Sequence, residues 1–420
     1  MGMAARAASR VPQPLWAVGA FAATRALLLL WVLGALPFPG LDVTGDVSVI
    51  YHGWYEVLRT GRFPGSDVTW QYPPGAALAV LSPALLPFLA YARAFFAVLF
   101  AADALVLGML LYAARRPGRS ARGAWVWVAG VPLLGPTAYA RYDLLATAVA
   151  VAALLAGVRR PRVLGALAAF GALLKVWPVL VLAGTRRGRA TVRSWGTAAL
   201  VGAGLLLTAW AALPGALAFL RFQQARGTEV ESLGALVLHA ARHLGWPGEV
   251  ALHYGSVEFL GPHVQLVSGV AQVLSGLALG WLLLWRRLAG TWPPGTLADA
   301  AFTAVLLFTT TSRVISPQYM VWLVGLAAVC LLRRTGPMRA PALMVLAATL
   351  VTTLEFPVWF GHVVAGDALG ITLLCVRNGL LVAASVTAGV LLWRRTVRPP
   401  RHRADSPECV RGTEELVDSH

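Results

Sequence analysis

The chain has 420 residues, of which 58% are hydrophobic and only 13% are charged, and its mean hydropathy is +0.69. Because soluble domains are about a quarter charged, this composition excludes a soluble globular protein and predicts a polytopic protein of the plasma membrane. The net charge of +17 does not indicate a nucleic-acid partner, since the arginines lie in short clusters at the ends of apolar runs, as in cytoplasmic loops of membrane proteins.

The arginine clusters mark the predicted cytoplasmic ends of the membrane segments. The first apolar run, 15–36, is long enough to span a bilayer and has no clear small-residue cleavage site, so it predicts a transmembrane helix rather than a signal peptide. With both termini in the cytoplasm, 1–403 forms one membrane domain and 404–420 forms a polar cytoplasmic tail. Further spans are predicted at 88–113, 124–136, 139–158, 195–213, 263–285, 299–311, 319–332, 340–360 and 371–393.

Two apolar segments do not fit a single crossing. A crossing by 164–184 would put the arginines of 186–193 outside, so we predict a broken or re-entrant hairpin with Lys175 and Pro178 at its tip. The segment 73–87 is either a half-membrane segment or the partner of an additional crossing. The sequence therefore predicts an all-α membrane bundle of about 11 to 13 segments, some of them short or re-entrant.

Two polar stretches are expected on the outer face, and we name them the first long loop (37–72) and the second long loop (214–261). Both are richer in acidic residues than the arginine-rich turns. Apolar residues recur at helical spacing in the first long loop, which predicts an amphipathic helix lying at the membrane surface. Its apolar face is formed by Val47, Ile50, Trp54 and Leu58.

The first long loop combines carboxylates with aromatic rings. Ring faces pack against sugar C–H groups, and a carboxylate can accept the proton of an attacking hydroxyl as a general base. The alternative interpretation is an interfacial aromatic belt with solvated acids. The residues concerned are Asp42, Asp46, Tyr51, Trp54, Asp67 and Tyr72.

Arg141 and Asp143 lie at the tip between two short apolar runs whose far ends are both predicted to be cytoplasmic. Charged residues at such depth are costly and usually face a cavity or a partner, so a functional site is the first hypothesis. A structural pair between the two side chains is the alternative.

Lys175 is the only lysine of the chain, in which Lys and Arg together number 35, and it lies inside an apolar run. A compact ammonium suits one oxygen of a lipid phosphate and does not need the planar fork geometry of arginine. The alternative is a snorkelling lysine, whose extended alkyl chain places the ammonium at the membrane interface.

A third polar tip, 311–319, also lies between two short apolar runs. It supplies the cation of Arg313, hydroxyl groups and the amide of Gln318 on the same predicted face, and it ends at Tyr319. Arg377, near the outer end of the last span, is either a further cation or part of an ordinary polar turn. Separated cations beneath an acidic and aromatic loop suit transfer from an anionic lipid donor.

The sequence shows no spacing of His, Cys, Asp or Glu that is typical of a metal site. His239 and His243 form one i, i+4 pair with no third ligand specified, and a solvated loop helix is the preferred interpretation. The three cysteines form no even, spaced set. We expect no metal site and no cofactor.

In order and spacing, these segments resemble glycosyltransferase family 87 of the GT-C superfamily. The resemblance rests on the first long loop with its Tyr72-Pro73-Pro74, on Arg141-Tyr142-Asp143, on Lys175 with Pro178, and on Ser316-Pro317-Gln318-Tyr319. It implies a GT-C membrane bundle and an inverting single displacement on the outer side. The implied donor is a polyprenyl-phosphate sugar, mannose first, and the implied acceptor is an envelope glycolipid or glycan.

The resemblance also implies roles for individual residues. Family members place the catalytic aspartate in the first outer loop, which maps best onto Asp46. The family often has Tyr four residues later, where this chain has Ile50, so Asp42 remains a competitor. Arg141, Lys175 and Arg313 would hold the donor phosphate without a metal. The remaining substrate-binding residues would be Tyr51, Trp54, Asp67, Tyr72, Asp143, Gln318 and Tyr319.

Two other functional classes share these features. A transporter or lipid flippase is also polytopic and arginine-rich inside, although its charges line a pathway through the membrane. A partner of envelope synthesis without activity of its own is the third possibility. The charged residues of the first long loop and of the polar tips lie towards the outer face in this prediction, which favours an enzyme over a transporter.

Overall fold

The computed structural model describes residues 13–397, which form an α-helical bundle with one small sheet. The first eight helices are α1 Gln13–Val32, α2 His52–Leu58, α3 Ala76–Leu81, α4 Tyr91–Ala114, α5 Arg122–Leu133, α6 Asp143–Gly157, α7 Pro161–Leu174 and α8 Arg189–Ala212. The others are α9 Phe219–Ala225, α10 Ala235–His243, α11 Val264–Leu288, α12 Thr296–Thr311, α13 Tyr319–Leu331, α14 Arg339–Thr353, α15 Phe360–Ala365 and α16 Ala368–Thr396. The chain termini and the predicted tail 404–420 lie outside the described residues.

Among residues 13–397, six helices are long and apolar enough to cross a membrane, namely α1, α4, α8, α11, α14 with its π-helical extension, and α16. A helix satisfies its own backbone hydrogen bonds, which is what a segment surrounded by hydrocarbon requires. The predicted all-α polytopic bundle is thereby confirmed. The predicted span 340–360 differs in detail, because α14 gives way to a π-helical turn at Leu354–Val358, where Pro357 lacks a backbone donor and Phe356 leaves helical geometry.

The core of the bundle lies around α13. Every residue from Met320 to Leu331 is buried, and α13 packs against α5, α6, α12 and α14. Gly123 of α5 lies directly against the carbonyl of Ala328, an approach that a side chain at residue 123 would block. By contrast, only 6% of the apolar window of α8 and 17% of that of α11 is buried, so these helices have apolar surface available for lipid.

A buried ion pair joins α1 to α4. The guanidinium of Arg25 donates from Nε to Asp103 Oδ2 at 2.9 Å and from Nη2 to Oδ1 at 3.1 Å, and both side chains are fully buried. The Asp103 carboxylate also accepts from Trp127 Nε1 at 2.7 Å and from the Tyr139 hydroxyl at 2.8 Å. Such complete hydrogen bonding is what a charge pair needs when it is removed from water.

The segment 164–184 is broken, as predicted. Helix α7 ends at Leu174, Lys175 adopts an extended conformation with φ −158° and ψ 127°, and a 3-10 helix follows at Trp177–Gly184. The two pieces pack together where Gly171 meets Pro178. The other short segment, α3 with the 3-10 turn Ser82–Leu85, is ten residues long and too short to span a hydrocarbon core of about 30 Å.

The predicted amphipathic helix of the first long loop consists of a π-helical turn, Asp46–Tyr51, continued by α2. Its buried residues are Val47, Tyr51, Trp54 and Leu58. The placement of Ile50 on this face is wrong, because Ile50 is 36% exposed and Tyr51 takes the inner position. Tyr51 follows Val47 by four residues and Trp54 follows Tyr51 by three, so the buried residues keep the spacing of one helical face.

The second long loop is folded, whereas its sequence predicted only a loop helix at His239 and His243. It contains α9, α10 and a three-stranded antiparallel sheet of β1 Thr228–Glu229, β2 Glu249–His253 and β3 Ser256–Leu260, in the order β1-β3-β2. The prediction of a solvated His239 is wrong, because this ring is buried and its Nε2 lies 3.2 Å from the Val230 carbonyl. Among residues 13–397, no group of three or more His, Cys, Asp or Glu is placed to hold a metal ion.

Arg377 is a buried residue that bonds to neighbouring elements of the fold. It is fully buried in α16, and its Nε donates to Glu355 Oε2 at 3.0 Å. A second nitrogen, Nη2, donates to the Glu231 carbonyl at 2.8 Å. Arg377 therefore ties α16 to the second long loop, and both interpretations, as a further cation of the outer face and as part of an ordinary polar turn, are wrong.

The two ends of the bundle differ in composition. At the end we call the loop end, the two long loops touch where Gly65 meets Gly215, and Gln223 Nε2 donates to the Gln71 carbonyl at 2.9 Å. At the opposite end, the arginine end, basic turns meet each other. Backbone pairing joins Arg119 to Arg333, Arg187 donates to the Arg287 carbonyl, and Arg395 pairs with Asp299 at 3.3 Å.

Cysteine labelling of intact cells is expected to place the loop end outside and the arginine end inside, because arginine-rich turns stay in the cytoplasm. The exposed Cys375, together with Cys409, would first be replaced by Ser. In that background, an impermeant maleimide should label a Ser48→Cys variant but label an Arg189→Cys variant only after permeabilisation. Strong labelling of the second variant in intact cells would reject this topology.

Candidate functional site

The proposed base Asp46 forms an ion pair with Arg141 at the loop end. Asp46 opens the π-helical turn of the first long loop, and Arg141 lies between a 3-10 turn, Gly135–Ala138, and α6. The side chains are 33% and 16% exposed, so the pair lies at an accessible surface. Arg141 Nη1 also donates to the Ala140 carbonyl at 2.9 Å, which fixes the direction of the guanidinium.

A second ion pair is buried and involves Asp143, two residues after Arg141. Lys175 Nζ donates to Asp143 at 2.8 Å, and Asp143 also accepts from Trp322 Nε1 at 2.6 Å. The break after α7 produces this geometry, because the extended backbone of Lys175 directs its side chain across to the first residue of α6. The pair thus joins three elements of the bundle.

Four aromatic rings surround the ammonium of Lys175, and we call them the aromatic cage. Nζ lies 5.0 Å from the ring centre of Tyr142, 5.2 Å from that of Tyr72, 5.5 Å from that of Trp322 and 5.8 Å from that of Tyr319. Cations are attracted to ring faces at such distances, more strongly when water is excluded. The cage therefore holds a desolvated positive charge at a defined position.

Aromatic contacts connect the two ion pairs. Tyr51 stacks on Trp54 with centroids 5.5 Å apart, and its ring lies 6.0 Å from that of Tyr142 in the cage. The Tyr51 hydroxyl is buried without a hydrogen-bond partner, as is Nε1 of Trp177, which stacks on Trp322 at 5.2 Å. An unpaired buried polar group costs about 1–3 kcal/mol, so these groups are suited to a polar ligand.

The other two aspartates of the first long loop stabilise turns. Asp42 is exposed and accepts from the Thr44 backbone at 2.8 Å and its hydroxyl at 2.7 Å. Asp67 accepts from the Thr69 hydroxyl at 2.6 Å, from the Thr69 backbone at 2.9 Å and from Trp54 Nε1 at 2.8 Å. Partial burial acts to raise the pKa of Asp67, but these hydrogen bonds together hold the pKa below its usual value.

Arg313 lies apart from the two ion pairs. Its Nη1 donates to Ser268 at 3.1 Å and its Nη2 to the Gln223 carbonyl, so it binds α11 and the second long loop. Gln318 is buried immediately before α13, beside Tyr319 of the cage. The structure thus brings most of the predicted site residues together and leaves Arg313 and Asp42 outside the cluster.

Two cage residues, Tyr142 and Trp322, were not predicted as site residues. Tyr142 adjoins the predicted Arg141 and Asp143, and Trp322 follows Tyr319 by one helical turn of α13. Aromatic residues beside intramembrane charges are the signal that could have found them.

An accessible carboxylate beside a desolvated cation can combine proton acceptance with anion binding. The family model described as Glycosyltransferase family 87 matches residues 70–317, more than half of the chain. The chain belongs to glycosyltransferase family 87. It is therefore a multi-pass membrane glycosyltransferase of the GT-C type, and the predicted family is confirmed. The match includes Arg141, Asp143 and Lys175, whereas Asp46 precedes it. No curated protein and no solved structure matches this family 87 chain.

Proposed function

We propose that this family 87 enzyme transfers a sugar, mannose in the first instance, from a polyprenyl-phosphate donor to an envelope glycolipid or glycan. The reaction takes place at the outer face of the plasma membrane by inverting single displacement. The main support is the only lysine of the chain, held by Asp143 within the aromatic cage and next to the Asp46–Arg141 pair.

Lys175 is the proposed site of the donor phosphate. An ammonium has three donors, so Lys175 can keep its bond to Asp143 at 2.8 Å and donate to a phosphate oxygen as well. The surrounding rings exclude water, which strengthens the attraction for an anion. A lipid monophosphate supplies that anion while its polyprenyl chain remains in the hydrocarbon.

Asp46 is the proposed general base. It accepts the proton of an acceptor hydroxyl while that oxygen forms a bond to the anomeric carbon of the donor sugar. The bond between this carbon and the phosphate oxygen breaks, and the lipid phosphate leaves with the electron pair. Lys175 stabilises the developing negative charge, which is commonly a large contribution to catalysis.

Inversion requires the base and the leaving group on opposite sides of the anomeric carbon. The proposed sugar position therefore lies between the Asp46 carboxylate and the Lys175 ammonium. Arg141 orients the base through its ion pair and has further N–H groups to donate to the departing phosphate. The proposed phosphate role of Arg313 is confined to long-range attraction, because its guanidinium lies apart from the two ion pairs, bonded to Ser268 and the Gln223 carbonyl.

The transporter alternative receives no specific support from the described residues. Arg25 and Asp103, which lie within the long apolar helices α1 and α4, are fully buried and bonded to each other, so they do not line an open pathway. Transfer of radiolabelled mannose from polyprenyl-phosphate-mannose to membrane acceptors tests the proposed enzyme directly. Transfer of another sugar from its polyprenyl phosphate would correct the sugar, and no transfer from any such donor would reject the proposed function.

A further inference from the structure

Glu229 has a buried carboxylate with an unpaired oxygen. This residue of β1 is only 3% exposed, and its Oε1 accepts from the Ser316 hydroxyl at 3.1 Å. The other oxygen, Oε2, is buried and has no hydrogen-bond partner. Burial raises the pKa of this carboxyl, as expected for an acid whose charged form is poorly solvated. Buried carboxylate oxygens are normally hydrogen-bonded, so this orphan oxygen calls for a ligand.

Glu258 provides an internal comparison, because it pairs with Glu229 across the sheet. Its carboxylate accepts from Arg226 Nε at 2.8 Å, from the Gly227 backbone at 3.0 Å and from Ser256 at 3.0 Å. Burial acts to raise its pKa, but Arg226 and these hydrogen bonds together hold the pKa below its usual value. The same small sheet thus contains one fully bonded structural carboxylate and one that is incomplete.

The incomplete carboxylate lies beside the aromatic cage. The Ser316 carbonyl accepts from the Tyr319 backbone at 3.0 Å, and the Tyr319 ring stacks on Trp322 at 3.9 Å. Glu229 is close enough for its charge to act on the Tyr319 hydroxyl. Its backbone N–H also donates to the Arg313 carbonyl at 3.1 Å, which anchors β1 to the tip before α13. The second long loop therefore brings a hydrogen-bond acceptor to the edge of the cage.

Unpaired donors lie near other rings of the same cage. The Tyr51 hydroxyl and Trp177 Nε1 are both buried without partners. Stacked aromatic walls with a few convergent donors and acceptors are suited to a polyhydroxylated ring, which has apolar C–H faces and polar edges. A purely apolar ligand would leave all of these groups unpaired.

We propose that Glu229 and Ser316 bind hydroxyl groups of the donor sugar, forming a sugar subsite separate from the phosphate site at Lys175. This inference rests on the proposed function. Glu229 then determines which sugar is used, because a site built to bond a hydroxyl discriminates strongly against a donor that lacks it.

The test compares Glu229→Gln with the matched control Glu258→Gln. Purified proteins in detergent would be titrated with polyprenyl monophosphate and with the same lipid carrying its sugar. Wild-type protein should bind the sugar-bearing lipid more tightly, and Glu229→Gln should lose about tenfold of that preference while binding the sugar-free lipid normally. Glu258→Gln should lower the melting temperature and leave the preference unchanged.

Deoxy-sugar donors make the assignment specific. Removing the recognised hydroxyl should weaken binding to wild type about tenfold and have little further effect on Glu229→Gln, because both changes remove one interaction. If Glu229→Gln does not fold, Ser316→Ala carries the same test. An unchanged sugar preference, or equal losses for both lipids, would overturn the inference. If wild type binds neither lipid, the proposed function itself fails and the subsite falls with it.

Discussion

Replacing Asp46 by Asn is expected to lower turnover by about 10²- to 10⁴-fold. Asn has nearly the same size and its carbonyl can still accept from Arg141, but it cannot take a proton from the acceptor at neutral pH. Expression and donor affinity should therefore change little, and the loss should appear in kcat rather than in the KM for the donor. Steady-state transfer assays in membranes of matched protein content measure both constants.

The two neighbouring aspartates are the controls for Asp46. Asp42→Asn should stay near wild-type turnover, because Asp42 is exposed and its carboxylate stabilises a local turn. Asp67→Asn should have a smaller effect than Asp46→Asn, since it loosens Trp54 without removing a base. An active Asp46→Asn beside an inactive Asp42→Asn would move the catalytic assignment four residues upstream. Three active variants would remove the general base from this loop.

Replacing Lys175 by Ala is expected to lower transfer at limiting donor by about 10²- to 10³-fold. The variant removes the only ammonium from the aromatic cage and with it the proposed contact to the leaving phosphate. It also leaves Asp143 buried without its counter-charge, which costs about 3–5 kcal/mol of stability. Lys175→Arg should rescue transfer only in part, because a planar guanidinium does not fit a site shaped around a compact charge.

A double variant separates the loss of stability from the loss of function. Lys175→Ala combined with Asp143→Asn leaves no buried unpaired charge, and the Asn carbonyl can still accept from Trp322 Nε1. The melting temperature of the double variant should lie closer to that of wild type than the melting temperature of Lys175→Ala does. The donor concentration needed for half-maximal transfer should stay higher than for wild type. Wild-type transfer by the double variant at limiting donor would make Lys175 a structural residue.

Much of the fold could be predicted because hydropathy and arginine placement report depth in a membrane directly. The break at Lys175 was predicted because a single crossing by 164–184 would place the arginines of 186–193 outside, and because Pro178 interrupts a helix. The structure has the break at Lys175. The pairing of β1 could not be predicted, because β1 has only two residues and its strand partner β3 lies about 30 residues further on. The π-helical turn at Asp46–Tyr51 was missed for a related reason, since its extra residue per turn has no signature in apolar spacing.

The site was predicted as a set of residues but not as a set of pairs. Sequence position indicated that Asp46, Arg141, Asp143 and Lys175 lie at similar depth, but lateral neighbours in a bundle depend on helix packing. Sequence position alone could not reveal that Arg141 would pair with Asp46 and that Lys175 would pair with Asp143. Glu229 was missed, because the acidic residues of the second long loop were noted only as a feature of its composition.

Arg25 and Asp103 were overlooked although charged residues inside apolar runs are a strong signal. Their pairing affects how this chain can be divided. The family match begins at residue 70, after α1, yet Asp103 of the matched part is neutralised by Arg25 from the unmatched part. A fragment cut to the family boundaries would retain a buried, uncompensated carboxylate and lose Asp46 as well. A fragment of this enzyme that keeps Asp103 therefore needs the first helix as well, and the family boundaries are a poor guide for truncation.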